Sequence, residues 1–238
     1  MAQPTFRAVG TLVATTTTTL SLVAPTVAKG DCLVAIVATN DNTAPSGIDA
    51  RWVSIVADND TAALRTNIYV LPNAALTDSG ATFNFTIAGT TVGAGFIASY
   101  SNCSSAQPVQ KSSSPNASSA TITFAAYTQS ATKSLILGLA SYLLTGGTNQ
   151  SLTGAGVTFT NRSAQSTATG SGMSLYLYDA TGLGAGTSLA AGSIASGLSA
   201  AVNEGAIVEL IGTQDSSSGQ PSGGVVYGAL DRTVRIAG

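Results

Sequence analysis

A continuous apolar run, Cys32 to Ala38, limits the fold of this chain more than any other stretch. Its seven residues are too few for a buried helix, and a Gly-Asp turn precedes them, so the run predicts a strand that is covered on both faces. After a polar loop, the segment Arg51 to Val56 carries the only tryptophan, Trp52. We expect this segment to be a strand beside the first, with Trp52 as a core side chain and not a binding surface.

Short segments rich in β-branched and aromatic residues recur along the chain and predict further strands. The clearest is Ala81 to Ile87, where Phe83, Phe85 and Ile87 share one face at a strict period of two. The other strands predicted in the first half are Thr5 to Ala14, Thr16 to Ala24, Asn67 to Leu71 and Val92 to Tyr100. Between Ser104 and Ser119, a series of Ser, Pro and Asn residues predicts a loop.

The second half of the chain repeats the first weakly. Lys133 to Ala140 matches the strand after Gly30, Gly156 to Thr160 stands in for the Trp52 strand, Ser174 to Tyr178 echoes Asn67 to Leu71, and Ala206 to Ile211 corresponds to Phe96 to Tyr100. A repeat of about four strands per half is typical of two packed antiparallel sheets. Residues 1–212 are therefore predicted to form one all-β domain, an antiparallel, jelly-roll-like β-sandwich with a weak internal two-fold repeat.

The composition excludes several classes of function. Histidine is absent, which rules out Ser-His-Asp and Cys-His nucleophile systems and any metal site built on histidine. Only 8% of the 238 residues are charged, against about 25% in an average soluble domain. The 9 basic and 11 acidic residues form no run, so neither nucleic acid nor a membrane surface is expected as a partner.

Candidate metal ligands occur in two loops, Asn40 to Asn42 and Asp58 to Asp60, which have the oxygen-rich character of calcium sites. Asn and Asp are also common turn formers, and the spacing of an EF-hand is missing, so no metal or other cofactor is predicted. The two cysteines, Cys32 and Cys103, are too few for a structural zinc site. They can form a disulfide or stay free, and a cysteine in an apolar run usually behaves as a small core side chain.

Two further groups of side chains have a functional and a structural interpretation. Glu204 and Glu209 fall on opposite faces of one predicted strand, so they need another carboxylate, such as Asp179, to act as a glycosidase pair. Solvated carboxylates at strand ends are the expected alternative, and we predict that the protein is not an enzyme. Trp52 with Tyr69 or Tyr100 offers a platform for stacking sugars, although a core role is expected for the tryptophan.

No segment is long enough to cross a membrane. The most apolar candidate, Leu135 to Leu144, has about half of the ~20 residues that a spanning helix needs. Val23 to Ala28 is similar to a signal-peptidase site, but Thr15 to Thr19 would interrupt the apolar region before it. The chain is therefore expected to be made in a host cytoplasm without a signal peptide.

Several motifs follow one another in a characteristic order. They are Gly-Asp-x-Leu-Val-x-x-Val from Gly30, Trp-Val-x-Ile from Trp52, Ile-Tyr-Val from Ile68, Phe-x-Phe-x-Ile from Phe83, and Ala-x-Tyr-Ser from Ala98 ahead of Pro108-Val109. Together they resemble a β-sandwich domain of tailed-bacteriophage virion proteins and of some secreted bacterial proteins, over residues 5–212. One departure is Ser101-Asn102, where that family often has a glycine.

The resemblance implies a structural role in the virion and carries no active site. Tail fibre tips usually follow a shaft of coiled coil, collagen-like repeat or β-helix, and this chain shows none of these patterns. A head decoration or cement protein on the outer surface of the capsid is therefore favoured. The alternatives are a tail fibre or baseplate component, or a receptor-binding module for carbohydrate. The implied partners are the major capsid protein or tail proteins and copies of the chain itself, in a homo-oligomer.

The last residues differ in character from the sandwich. Residues 213–224 read as a flexible linker, and residues 225–238 return to strand-forming residues. We interpret this segment as an arm that docks on a neighbouring subunit; the alternative is an edge strand of its own sandwich. The residues expected to contact the partner are Val226, Tyr227, Leu230, Arg232, Val234 and Ile236. The linker spans up to roughly 35–40 Å when extended, which is enough to leave the parent domain.

Deleting residues 214–238 distinguishes these two interpretations of the arm. If the segment docks on a neighbour, the truncated protein keeps its melting temperature but no longer enters oligomers or particles. A large fall in the melting temperature of the isolated protein would instead assign the strand to its own sandwich.

Overall fold

The computed structural model describes residues 2–41, 43–60, 64–88, 92–104, 111–144, 151–154, 156–167, 172–181, 184–195 and 199–213, with the backbone alone for 58–60, 111–118 and 154. The arm, residues 225–238, and the linker from residue 214 lie outside this part of the chain. Within it there are eighteen β-strands, one short 3-10 helix and no α-helix. The all-β class predicted from the sequence is confirmed.

The strands of the first half are β1 (Thr5–Val9), β2 (Val13–Thr15), β3 (Thr19–Val23), β4 (Cys32–Thr39), β5 (Val53–Asp60), β6 (Leu64–Leu71), β7 (Thr82–Thr86) and β8 (Gly93–Ser101), with the 3-10 helix at Leu76–Asp78. The strands of the second half are β9 (Lys111–Ser119), β10 (Thr121–Phe124), β11 (Tyr127–Thr128), β12 (Ser134–Tyr142), β13 (Thr153–Gly154), β14 (Thr160–Ser166), β15 (Ser174–Thr181), β16 (Ser188–Leu189), β17 (Gly192–Ala195) and β18 (Ala201–Ile211).

Two large antiparallel sheets form the centre of the molecule. The first has the order β1-β8-β4-β6-β5, with β2 also paired to β8, and the second has the order β9-β18-β12-β15-β14. When the strands of each large sheet are numbered in the order in which they occur along the chain, with β2 left aside, both sheets have the same arrangement. Across each sheet the strands come in the order first, fifth, second, fourth, third. The pairs are nested, as the strands of a jelly roll are, since β1 pairs with β8, β3 with β7 and β4 with β6. Strands β4 and β12 therefore occupy the same central place in their sheets.

Smaller sheets cover the outer faces of the two large ones. The ribbon β3-β7 packs on the first sheet, and the three-stranded sheet β10-β17-β13 packs on the second. A core of apolar side chains fills the space between the two large sheets, with residues such as Ile36 and Phe96 from the first and Leu137 and Val208 from the second. The molecule is thus a stack of four β-layers with three apolar cores.

Strand β4 shows why its sequence is apolar without interruption. Val34 and Ile36 point into the core between the large sheets, whereas Leu33 and Val37 point into the core beneath the β3-β7 ribbon. All eight residues of the strand are buried. The prediction of a strand covered on both faces is confirmed, and β12 is buried along its whole length in the same way.

Some local predictions from the sequence are wrong. The strand that follows Trp52 lies beside β6 and not beside β4, because the returning strand β6 takes the place next to β4. Residues 111–119 form β9 instead of a loop, since the edge of β18 offers backbone hydrogen-bonding groups that override the weak strand propensity of Ser, Pro and Asn. The predicted strand from Thr5 to Ala14 is broken at Gly10, where a Cβ atom would lie 2.8 Å from the carbonyl oxygen of Val23.

Positions that are equivalent in the strand orders of the two large sheets are offset from the match read in the sequence. A β-bulge interrupts the β5-β6 pairing just after Ser54 pairs with Tyr69, and a similar bulge interrupts β14-β15 just after Asn161 pairs with Tyr178. These bulges make Tyr178, and not Tyr176, the counterpart of Tyr69. The strand β14 begins only at Thr160, where the sequence match placed its end.

The outermost strand pairings of the two large sheets contain β-bulges, which the inner pairings lack. Register shifts occur in β1-β8, β5-β6, β14-β15 and β18-β9, but not in the four pairings that involve β4 or β12. A bulge twists an edge strand and disturbs its free hydrogen-bonding groups, so it opposes edge-to-edge pairing of two molecules.

Trp52 is a core residue, and its truncation should destabilise the fold. Its side chain is 7% exposed and meets Phe83 edge-on, with ring centroids 5.2 Å apart. We expect Trp52→Ala to lower the free energy of unfolding by about 3–5 kcal/mol in urea denaturation, as for other buried aromatic truncations. Leu76→Ala is the control, because Leu76 is 68% exposed and its loss should change stability by less than about 0.5 kcal/mol. Equal stability of the two variants would contradict the core assignment.

Candidate functional site

In the part of the chain that the structure describes, most acidic side chains are buried. Five of the seven that the structure describes are buried, and the other two are Asp41 and Asp49. The buried ones are Asp31, Asp78, Asp179, Glu204 and Glu209. The expectation of solvated carboxylates at positions 204 and 209 is therefore wrong, because their strand β18 is covered on one face by the first large sheet and on the other by the outer layer.

Glu209 occupies a ring of hydrogen-bond donors. Its Oε2 accepts hydrogen bonds from the hydroxyl of Tyr127 at 2.6 Å and from the backbone N–H and the hydroxyl of Ser130 at 2.9 and 2.7 Å, and its Oε1 accepts one from the backbone N–H of Ala131 at 3.1 Å. Burial by itself would raise the pKa of this carboxyl group, but the hydrogen bonds outweigh it and hold the pKa below its usual value. The carboxylate thereby closes the turn after β11.

Glu204 and Glu209 lie on opposite faces of β18, as the odd spacing predicts. Glu204 shares its face with Ala206 and Val208, which point to the core between the large sheets, and Glu209 shares its face with Ile207 beneath the outer layer. The two carboxylates therefore do not meet across one cavity. Asp179 lies on β15, two strands away from β18 in the same sheet.

Two of the edge bulges bring an arginine onto a buried aspartate. Arg7 is the extra residue of the bulge in β1, and its guanidinium binds Asp31 through two hydrogen bonds, one of them 3.0 Å long. Arg162 is the extra residue of the bulge in β14, and its Nε donates to Oδ2 of Asp179 at 2.8 Å. A bulge redirects the side chain of its extra residue, which explains how an edge residue reaches inward.

The Arg162–Asp179 pair forms the wall of a cleft of about 770 Å³ between the two halves, which we call the inter-half cleft. The N-terminal segment Gln3 to Phe6 forms one side, and the second half supplies β14, β15 and the turn at Gly156 to Thr158. The guanidinium of Arg162 lies over the ring of Phe6, 4.7 Å from its centroid. Burial raises the pKa of Asp179, and Arg162 offsets part of this rise.

The aromatic residues considered as a sugar platform do not form an exposed surface. Trp52, Tyr69 and Tyr100 are 7%, 5% and 0% exposed. Tyr69 lies in the core beneath the β3-β7 ribbon, where burial raises its pKa to about 12, whereas Tyr100 lies in the core between the large sheets. The three rings are thus split between two cores.

The cysteines are free thiols in the core between the large sheets. A hydrogen bond with Cys103 and complete burial raise the pKa of Cys32. A raised thiol pKa keeps the sulfur protonated and weakens it as a nucleophile. Both cysteines behave as small core side chains.

Among the described residues, no group of three His, Cys, Asp or Glu side chains is placed to hold a metal ion. The prediction of a loop at residues 58–60 is wrong, because they form the end of β5 and pair with β6. Their side chains, and residue 42 of the other oxygen-rich segment, lie outside the described part. The described residues also contain no helix of the length and apolar character needed to cross a membrane.

No protein-family model, no curated protein and no solved structure matches this chain. The similarity to virion proteins of tailed bacteriophages therefore stays a prediction from sequence motifs.

The inter-half cleft is the feature that sequence reasoning missed. In the sequence, the cleft could have been indicated by Asp179, a single carboxylate that directly follows the apolar residues Leu175 to Tyr178. Arg162 gave no such sign, because it lies in a polar stretch and only the bulge directs it to the aspartate.

The hydrogen bonds to Glu209 predict a pH-dependent contribution to stability. Because the folded-state pKa is lowered, the contribution is present above the usual carboxyl pKa and is lost as the pH falls through the lowered value. Glu209→Gln should lower the free energy of unfolding by about 2 kcal/mol at pH 7. The NH2 group of glutamine would then face hydrogen-bond donors where the carboxylate now offers an acceptor. In urea denaturation at about pH 3, the variant and the parent protein should approach each other in stability.

The control for this measurement is Asp49→Asn. Asp49 is exposed and paired with Arg51 at 2.9 Å, and an exposed ion pair contributes at most about 1 kcal/mol. A constant difference between Glu209→Gln and the parent across the pH range would contradict a charged Glu209.

Proposed function

We propose that the protein is a non-enzymatic structural component of a bacteriophage virion, which binds the outer surface of the head as a decoration or cement protein. It acts through contacts with the major capsid protein and with copies of itself. The alternative within the same class is a tail fibre or baseplate component. The motifs of residues 30–101 supply the reason to consider virions, and the distribution of charge supplies the reason to consider assembly.

The observation that carries the proposal is that most of the acidic side chains that the structure describes are buried and not on the surface. The five buried carboxylates support the interior, and the exposed side chains of the outer ribbon are almost all small and neutral. The outward residues of β3 and β7 are Thr19, Ser21, Val23, Thr82, Asn84 and Thr86. A hydrogen bond of 2.8 Å between Ser21 and Asn84 links the two rows.

Surfaces of this kind favour contact with other subunits. Burying a charged side chain at an interface costs several kcal/mol unless it is paired, whereas neutral hydroxyl and amide groups lose less when water leaves. The charged residues that keep most soluble domains apart are scarce here. Because the sheet edges carry bulges, we expect subunits to meet through faces of the layers more than through pairing of those edges.

Electron microscopy with an antibody against the protein tests the proposal on tailed particles from cells that carry the gene. We expect label on the head, and washing in high salt should leave it there, because a contact between neutral surfaces depends little on ionic strength. Label on the tail would favour the alternative. Particles without label, together with a protein that stays monomeric at high concentration in light scattering, would overturn the proposal.

A further inference from the structure

The inter-half cleft contains polar atoms that the fold itself does not use. Asp179 has a side chain that is only 3% exposed, and its Oδ2 is taken by Arg162. Within the described residues, no donor meets Oδ1 of this carboxylate, although the residue lines the cleft. A buried carboxylate normally has both oxygens hydrogen-bonded, so the open oxygen is a position for a ligand or for water.

Arg162 offers donors beside this acceptor. Its ion pair uses Nε alone, and no acceptor among the described residues meets Nη1 or Nη2. Stacking on Phe6 and the bond to Asp179 fix the plane of the guanidinium. By contrast, Arg7 binds Asp31 through both Nε and Nη2, which leaves that pair closed.

The opposite charges of Arg162 and Asp179 in the wall of the inter-half cleft limit the class of ligand that it can bind. A bound anion would gain from Arg162 but would face the carboxylate of Asp179, and a cation would face the opposite conflict. A neutral ligand avoids both. It must donate to Oδ1 of Asp179 and accept from the Nη atoms of Arg162 on the same side of the molecule.

Neighbouring hydroxyl groups meet this requirement, because each hydroxyl both donates and accepts and two of them lie side by side on a sugar ring. A peptide group fits less well, since its N–H and C=O point in opposite directions. Further hydroxyl partners line the cleft at Thr5, Thr158 and Thr160, and Phe6 and Val157 supply apolar surface. The volume of about 770 Å³ lies within the range of small-molecule sites.

We propose that the inter-half cleft binds a neutral saccharide, with vicinal hydroxyl groups held between Asp179 and Arg162. The saccharide is a free sugar or the end of a glycan chain on a surface. The site is independent of the proposed place on the head, since it uses residues of one chain only.

Saturation-transfer NMR with the full-length protein and a panel of methyl hexosides tests this site. We expect transfer to at least one hexoside, and the same hexoside should compete with immobilised glycans if the natural ligand is a glycan end. Transfer without any binding to immobilised glycans would identify a free sugar as the ligand. No transfer to any hexoside and no binding to immobilised glycans would overturn the proposal and leave a cleft filled by water only.

Two variants separate binding from folding. Arg162→Lys keeps a cation near Asp179 but loses the two-nitrogen fork, so the affinity for the hexoside should fall about ten-fold. The double variant Arg162→Met with Asp179→Leu removes both charges together, which buried ion pairs often tolerate, and should abolish binding while circular dichroism stays unchanged.

The matched control is Arg51→Lys. Arg51 also pairs with aspartates, Asp49 and Asp78, but it does not line the cleft, so this variant should bind the hexoside as the parent does. Equal affinity of Arg162→Lys and the parent would contradict the proposed contacts, and so would a loss of binding in Arg51→Lys.

Discussion

The fold depends on the packing of two large sheets that are each covered on both faces. The core between them joins the halves, and the outer layers bury the opposite faces of the same strands. This arrangement leaves the central strands no solvent-facing side, so β4 and β12 must be apolar at every position or nearly so. It also requires close approach between layers. At Gly205 a Cβ atom would collide with the backbone of Thr123 in the layer above.

Charged side chains complete this interior where apolar groups cannot. Edge strands end the sheets, and their bulges let arginines turn inward onto aspartates that the layers have covered. Glu209 closes a turn through hydrogen bonds in the same way. A buried carboxylate needs such partners, because its desolvation is costly without them. Most carboxylates that the structure describes are buried in this way, whereas the outward side chains of the β3-β7 ribbon carry hydroxyl, amide and methyl groups.

These two properties bear on function in different places. The neutral outward side chains of the β3-β7 ribbon support the proposed contact with neighbouring subunits. The inter-half cleft is local, and it exists because the N-terminal segment before β1 crosses to the second half, where Gln3 donates to the carbonyl oxygen of Ser134 at 2.7 Å. The two proposals thus concern separate surfaces of the same molecule.

The sequence by itself determined the class of fold and the central strands. Hydrophobic runs and strict alternation are local patterns, and the burial of Cys32 to Ala38, of Phe83 and Phe85, and of Trp52 follows from them. Only the tertiary structure decided which strands are neighbours, that residues 111–119 form a strand, and that Arg162 reaches Asp179. Those outcomes depend on sheet edges, bulges and the crossing of chain halves, which bring together residues distant in sequence and leave no periodic trace in it.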